Sequence, residues 1–127
     1  MDKPRILLIE DDGFLAGIYA SHLEREGFAT LRAGNGQDGV EMARKEQPDL
    51  ILLDVALPKK NGFEVLEELK QDAETQAIPI VMLTNLSAQE DIKRCLKNGA
   101  CEYLIKSQHA PEDVVLHVRR ALRVHGV

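Results

Sequence analysis

No stretch of this chain is densely basic. Of its 127 residues 16 are Lys or Arg and 21 are Asp or Glu, a formal net charge of −5. The electrostatic footprint that binds a phosphate backbone is missing, so direct nucleic-acid binding is not expected. Long apolar runs are missing too. After Met1-Asp-Lys-Pro-Arg5 only Ile6 to Ile9 are apolar before Glu10, too few for a secretory core or a membrane span. A cytoplasmic location without membrane attachment is the default expectation. Cysteine is scarce: Cys95 and Cys101 lack CxxC spacing and read as small buried hydrophobes kept reduced. The histidines, His22, His109, His117 and His125, show neither an HExxH pattern nor another ligand-rich cluster. No histidine-based metal site is assigned.

What is present is an ordinary globular composition, 44% hydrophobic and 29% charged, unlike disordered, collagen-like or disulfide-stapled chains. A chain of this length buries roughly two thirds of its unfolded surface on folding. One self-sufficient core, and a single domain over residues 1–127, is the expectation.

Short apolar runs alternate with stretches of helical periodicity. Strands are expected at Arg5–Glu10, Phe28–Ala33, Leu50–Asp54, Pro79–Thr84 and Tyr103–Lys106. Helices are expected at about Phe14–Glu26, Gln37–Glu46, Gly62–Asp72, Ser87–Asn98 and Pro111–Val124. Gly27 and Gly99 end two of these helices, and Pro111 takes a first-turn place. Strict alternation implies an α/β fold, a parallel sheet with helices on both faces, because right-handed crossovers must cover it. Ligands of such sheets sit beyond the carboxyl ends of the strands.

Those ends carry Glu10, Asp11 and Asp12, then Asp54, Thr84 and Lys106. Leu50-Ile-Leu-Leu53 is wholly apolar and stops at Asp54. A carboxylate there is either a helix cap or a functional group, since charges are rarely buried without partners. If the acids converge they repel, and a hard divalent cation such as Mg2+, which prefers oxygen ligands, offsets them. Lys106 adds a compact positive charge opposite.

These residues resemble the response-regulator receiver domain of two-component signalling. The pieces are Ile9-Glu-Asp-Asp12, Asp54-Val-Ala-Leu-Pro58 with Gly62, Met82-Leu-Thr84, Gly99-Ala100 and Tyr103-Leu-Ile-Lys106, each at the end of its strand or helix. The resemblance spans nearly the whole chain. It implies a doubly wound, flavodoxin-like five-stranded parallel sheet with five helices and strand order 2-1-3-4-5.

The same resemblance implies that Asp54 is the phosphoryl acceptor, a carboxylate nucleophile. Asp11 and Asp54 would bind Mg2+ directly, Glu10 largely through a water, and the Ala56 carbonyl would complete the site. Lys106 would pair with Asp54 before transfer and with the phosphoryl group afterwards, while Thr84 binds another of its oxygens. Asp12 is read as a cap of the first helix. Thr84 moving toward the phosphoryl group would let Tyr103 turn inward and remodel the surface of the fourth helix, fifth strand and fifth helix. A half-buried strand aromatic remains the plain alternative for Tyr103. The implied donor is a histidine kinase or histidine phosphotransfer protein, and the implied output a downstream protein docking on that surface. The chain would be no enzyme beyond promoting its own aspartyl phosphorylation and slow dephosphorylation. Phe14, Leu15 and Ile18 are either a docking patch for the donor or an inward helix face.

Three positions depart from the family pattern. Glu10 stands for a frequent Asp. Asn85 stands for a small residue after the Thr, which bears on access to the phosphoryl group and its lifetime. Ser107 stands for a proline that follows the lysine through a cis bond. A non-proline cis bond costs about 2.5–4 kcal/mol, so a trans Lys106–Ser107 bond is expected.

Two other classes are weighed. Gly34-Asn-Gly36-Gln-Asp-Gly39 fits the dinucleotide fingerprint G-x-G-x-x-G, but it follows the second strand and leaves the acids, Thr84 and Lys106 unexplained. A haloacid-dehalogenase type phosphatase wants a second acid two residues after its nucleophile, where this chain has Ala56. The length leaves no room for an output domain, so either a stand-alone receiver or a piece of something larger is expected.

Overall fold

The computed structural model describes residues 2–125. Five strands, β1 (Arg5–Ile9), β2 (Ala29–Ala33), β3 (Leu50–Leu53), β4 (Ile80–Thr84) and β5 (Glu102–Ile105), form one parallel sheet in the order β2-β1-β3-β4-β5. Between them run α1 (Gly13–Arg25), α2 (Gly36–Glu46), α3 (Gly62–Gln71) and α4 (Gln89–Lys97), and α5 (Pro111–Val124) closes the chain. This is the flavodoxin-like α/β architecture read from the sequence.

Alternation along the strands sorts the core into two halves. Ile6, Leu8, Leu50, Leu52, Val81, Leu83 and Leu104 pack on one face with Tyr19 and Leu23 of α1 and Val114, Val118 and Leu122 of α5. Leu7, Ile9, Ile51, Leu53, Ile80 and Met82 pack on the other with Val40 of α2, Val65, Leu66 and Leu69 of α3 and Cys95 of α4. Helices therefore cover both faces, which explains why the strands are continuous apolar runs.

The helix boundaries follow from caps. The Asp12 side chain accepts from the Leu15 amide at 3.1 Å, the capping role read from the sequence. Asn35 caps α2, and Asn61 with Glu64 forms a capping box on α3. Gly27 and Gly99 take φ of 95° and 109°, the left-handed region that ends α1 and α4. Most expected strand bounds shift by one residue, so that Glu10 and Asp54 lie just past β1 and β3, and two further shifts have a local cause. Helix α4 begins at Gln89 rather than Ser87, because Ala88 caps it without a side-chain bond. Lys106 is not the last strand residue but opens a short 3-10 turn, Lys106–Gln108. Among the described residues no peptide bond is cis, as expected for Lys106–Ser107. Cys95 is buried as expected, whereas Cys101 is exposed, since it lies in the bend between Gly99 and β5.

The glycines of the fingerprint-like segment are filled by the protein itself. A Cβ on Gly36 would lie 1.9 Å from the Lys60 carbonyl oxygen, and one on Gly39 would lie 2.6 Å from Ile9 Cδ1. They let α2 approach β1 and the loop after β3, so they serve packing and not a pyrophosphate. Gly62 has the same constraint nearer the acids: its Cβ would lie 2.2 Å from the Asp54 carbonyl oxygen and 2.6 Å from Val55 Cα. Alanine normally gains about 1 kcal/mol over glycine in a helix. Here the opposing atoms are backbone and cannot swing aside, so Gly62→Ala is expected to destabilise by about 1–3 kcal/mol, as overpacking does. A denaturant midpoint equal to or above wild type would overturn this.

Candidate phosphoryl-acceptor site

The strand order sets the site. Chain direction around the sheet reverses between β1 and β3, the crevice where open α/β sheets bind ligands. Ile9 is in register with Leu53, and Leu53 with Met82, so Glu10 and Asp54 emerge side by side at the carboxyl edge. The Asp54 amide donates to the Ile9 carbonyl at 3.1 Å and the Glu10 amide to that of Ala33 at 3.0 Å. Both acidic side chains begin on backbone that the sheet holds fixed.

Glu10 and Asp54 are buried, and Asp11 is exposed. A carboxylate oxygen from each lies within 4.8 Å of those of the other two. Lys106 Nζ reaches into this group, 2.7 Å from Asp54 Oδ2 and 2.5 Å from Glu10 Oε1. The other Asp54 oxygen accepts from the Val55 amide at 2.7 Å, and the other Glu10 oxygen accepts from the Asp12 amide at 3.1 Å. Burial pushes the Glu10 carboxyl above its ordinary range, against the pull of Lys106 and the Asp12 amide, and the Asp54 charge adds to the rise. Burial also disfavours the Lys106 charge, but its bonds to Asp54 and Glu10 outweigh that and hold its pKa above the usual lysine value. Lys106 thus pairs with two of the three carboxylates of the pocket. All the acidic donors are oxygens, the ligand type a hard divalent cation takes.

Thr84 ends β4 and is 1% exposed. Its hydroxyl faces the Leu86 amide at 3.5 Å. Tyr103 of β5 packs partly buried against the core, and its hydroxyl donates to the Leu86 carbonyl at 2.7 Å. Burial pushes that phenol up to about 12. Thr84 and Tyr103 therefore meet through one loop residue. Ala56 lies exposed in the loop after β3. Asn85 Oδ1 accepts from the Ser107 amide at 3.1 Å, a link between the β4 and β5 loops that residue types alone did not signal.

On α1, Phe14 is 81% exposed, which corrects the inward-face alternative for it, while Leu15 packs against the core. The one-turn offset explains the split, because Leu15 shares a face with buried Tyr19 and Phe14 does not. Phe14, Gly17, Ile18 and Ser21 line a shallow groove with Arg32 of β2. The expectation of no histidine-rich cluster is also corrected. His109, Asp113 and His117 come together where α5 begins, and the signal for them was the i, i+4, i+8 spacing.

A five-stranded 2-1-3-4-5 sheet, acids at the β1/β3 switch point, a buried hydroxyl on β4 and a lysine after β5 define a class of signalling module. The model of the response regulator receiver domain matches residues 6–119, and the chain belongs to this family, the receiver domains of two-component response regulators. It is 39% identical over 102 residues to the protein PilH of Pseudomonas aeruginosa, covering 80% of this chain and 84% of PilH. It is 39% identical over 120 residues to the DNA-binding dual master transcriptional regulator RpaA of Synechocystis, covering 94% of this chain and 49% of RpaA. The chain therefore spans about half the length of that relative. Among solved structures, the CheY-like response regulator receiver domain protein of Methanospirillum hungatei superposes with a TM-score of 0.90 at 26% identity, covering 98% of this chain and 97% of that one. Among the described residues no helix is long and apolar enough to cross a membrane.

Proposed function

We propose that this chain acts as a single phospho-accepting receiver unit, taking a phosphoryl group from a phosphohistidine onto Asp54 and switching a protein-interaction surface. The observation that carries this reading is the buried Asp54 carboxylate, held by Lys106 at 2.7 Å among further acids at the switch point of the sheet.

In the transfer an Asp54 oxygen attacks phosphorus, the P–N bond to the donor imidazole breaks, and the leaving nitrogen takes up a proton. Mg2+, bound by Asp11 and Asp54, by Glu10 largely through a water and by the Ala56 carbonyl, would supply neutralisation of the phosphoryl charge. The protein's own part is positioning. The sheet fixes Asp54, Lys106 turns from the acceptor to a phosphoryl oxygen, and the Thr84 hydroxyl takes another. Because the Tyr103 hydroxyl is bonded to the loop after Thr84, a shift of Thr84 toward the added charge carries that loop with it. The change reaches α4, β5 and α5, where a downstream protein would dock. The donor is a histidine kinase or histidine phosphotransfer protein, and the exposed Phe14, in the first turn of α1 just after the acids that follow β1, offers a surface for it. No direct nucleic-acid contact is proposed for these residues, which hold no basic run, and a cytoplasmic location fits an acceptor of this kind.

The test is incubation with Mg2+ and acetyl phosphate followed by intact mass measurement. One phosphoryl adduct per chain is expected, and none when a chelator replaces Mg2+. An unmodified chain under the complete conditions counts against the reading.

A further inference from the structure

The structure holds a second group of metal-ligating side chains, remote in composition from the acid pocket. His109 follows the 3-10 turn, Ala110 and Pro111 start α5, and Asp113 and His117 lie one helical turn apart on the same face. His109 Nδ1 contacts Asp113 Oδ2, and His117 Nε2 lies 3.7 Å from that same oxygen. The two rings meet edge to face with centroids 5.1 Å apart. One ligand atom from each of the three residues lies within 4.8 Å of the other two.

The far side of His117 is fixed as well. Its Nδ1 contacts Glu102 Oε1 of β5, and the Arg120 guanidinium donates to that same carboxylate. Arg120 Nη2 also lies 3.0 Å from His117 Nδ1, so that nitrogen is held between the Glu102 carboxylate and the guanidinium. This leaves Nε2 facing the Asp113 carboxylate at 3.7 Å, a gap too wide for a good hydrogen bond. A carboxylate holding the far nitrogen of an imidazole is the arrangement that orients histidine ligands in metal sites.

We propose that His109, Asp113 and His117 form a transition-metal site that takes Zn2+, with Glu102 as the positioning residue for His117. Two imidazoles and one carboxylate match the borderline-soft ions, and Mg2+ prefers an all-oxygen set. The two metals would sort themselves between the two places by ligand chemistry. Zn–N bonds of about 2.0–2.1 Å need the ligand atoms roughly 3.4 Å apart. The partly exposed side chains, with 43% of Asp113 accessible, can draw together by that amount and leave a fourth position to water.

The test is a Zn2+ titration of the whole chain in excess Mg2+, read by competition with a chromophoric zinc indicator. One Zn2+ per chain is expected. His109→Gln combined with His117→Gln should abolish binding, and Glu102→Gln should weaken it about 10-fold or more, as loss of an outer partner does. Asp54→Asn and Cys101→Ser should leave the affinity unchanged. Circular dichroism checks the fold of each variant. If the double variant fails to fold, His109→Gln alone carries the test, because it lies before the helix and must lower the affinity. Wild-type affinity in the histidine variants, or binding lost only in Asp54→Asn or Cys101→Ser, overturns the proposal.

Discussion

Asp54→Asn is expected to abolish the acetyl phosphate adduct while the chain stays folded. The amide keeps the shape of the carboxylate but not its negative oxygen, and a neutral amide is no nucleophile toward phosphorus. Lys106 keeps its bond to Glu10 at 2.5 Å, so the variant does not strand a buried cation. The Val55 amide, which donates to Asp54 Oδ1 at 2.7 Å, finds an acceptor in the asparagine carbonyl. Intact mass measurement before and after incubation, with circular dichroism for the fold, reads both halves of the expectation. Other oxygens stand close by, Glu10 and Asp11 within 4.8 Å and the Thr84 hydroxyl on the neighbouring strand. An adduct that persists in the variant and maps to one of them removes Asp54 from its role without touching the family assignment.

The second large effect is on stability. Lys106→Met strips the cation from two buried carboxylates, and breaking a buried ion pair from one side costs about 3–5 kcal/mol. The pH dependence has a definite sign. Glu10 stands above its unfolded value of 4.5, so folding favours its protonated form. That contribution is present below the unfolded value and is lost as the pH rises through the higher folded one. Lys106 also stands above its unfolded value of 10.5, so its contribution is intact at neutral pH and is lost only as the pH rises through a still higher folded value. Removing Lys106 removes a cause that lowers Glu10, and the loss of stability with rising pH becomes steeper. Urea unfolding should therefore show a larger deficit for the variant at about pH 8 than at about pH 4.5. Added Mg2+ should narrow the deficit, since a ligand of the folded state stabilises it by mass action. Equal deficits at both pH values, or parity with wild type, would refute this account of the pocket.

Much of this was legible in the sequence because parallel strands buried on both faces leave little choice. Ile6 to Ile9 and Leu50 to Leu53 admit no polar residue, so Glu10 and Asp54 mark the sheet edge, and the crossover rule brings the edges together. The bond of Lys106 to both acids was less accessible. Its side chain reaches back from a 3-10 turn that no periodicity marks, because a three-residue turn has no repeat to detect. The start of α4 is obscured for a related reason: the helix takes Ala88 as its cap, with no side-chain bond to mark the boundary. With Cys95 as its one fully buried residue, α4 carries a thin apolar signal. Phe14 and Leu15 are adjacent and equally apolar, and only the rotation of α1 against the sheet sends one to solvent. His109, Asp113 and His117 were hidden for the opposite reason. Their spacing was visible, but the extended turn that folds His109 back over α5 was not.

The bond from the Ser107 amide to Asn85 joins the residue after Thr84 to the residue after Lys106. Its consequence is mechanical. Thr84 ends β4 in register with Ile105, and Lys106 opens the turn that follows. The bond one residue further on continues that pairing past the end of the sheet, so the loop after β4 and the turn after β5 are braced against each other where the strands have stopped.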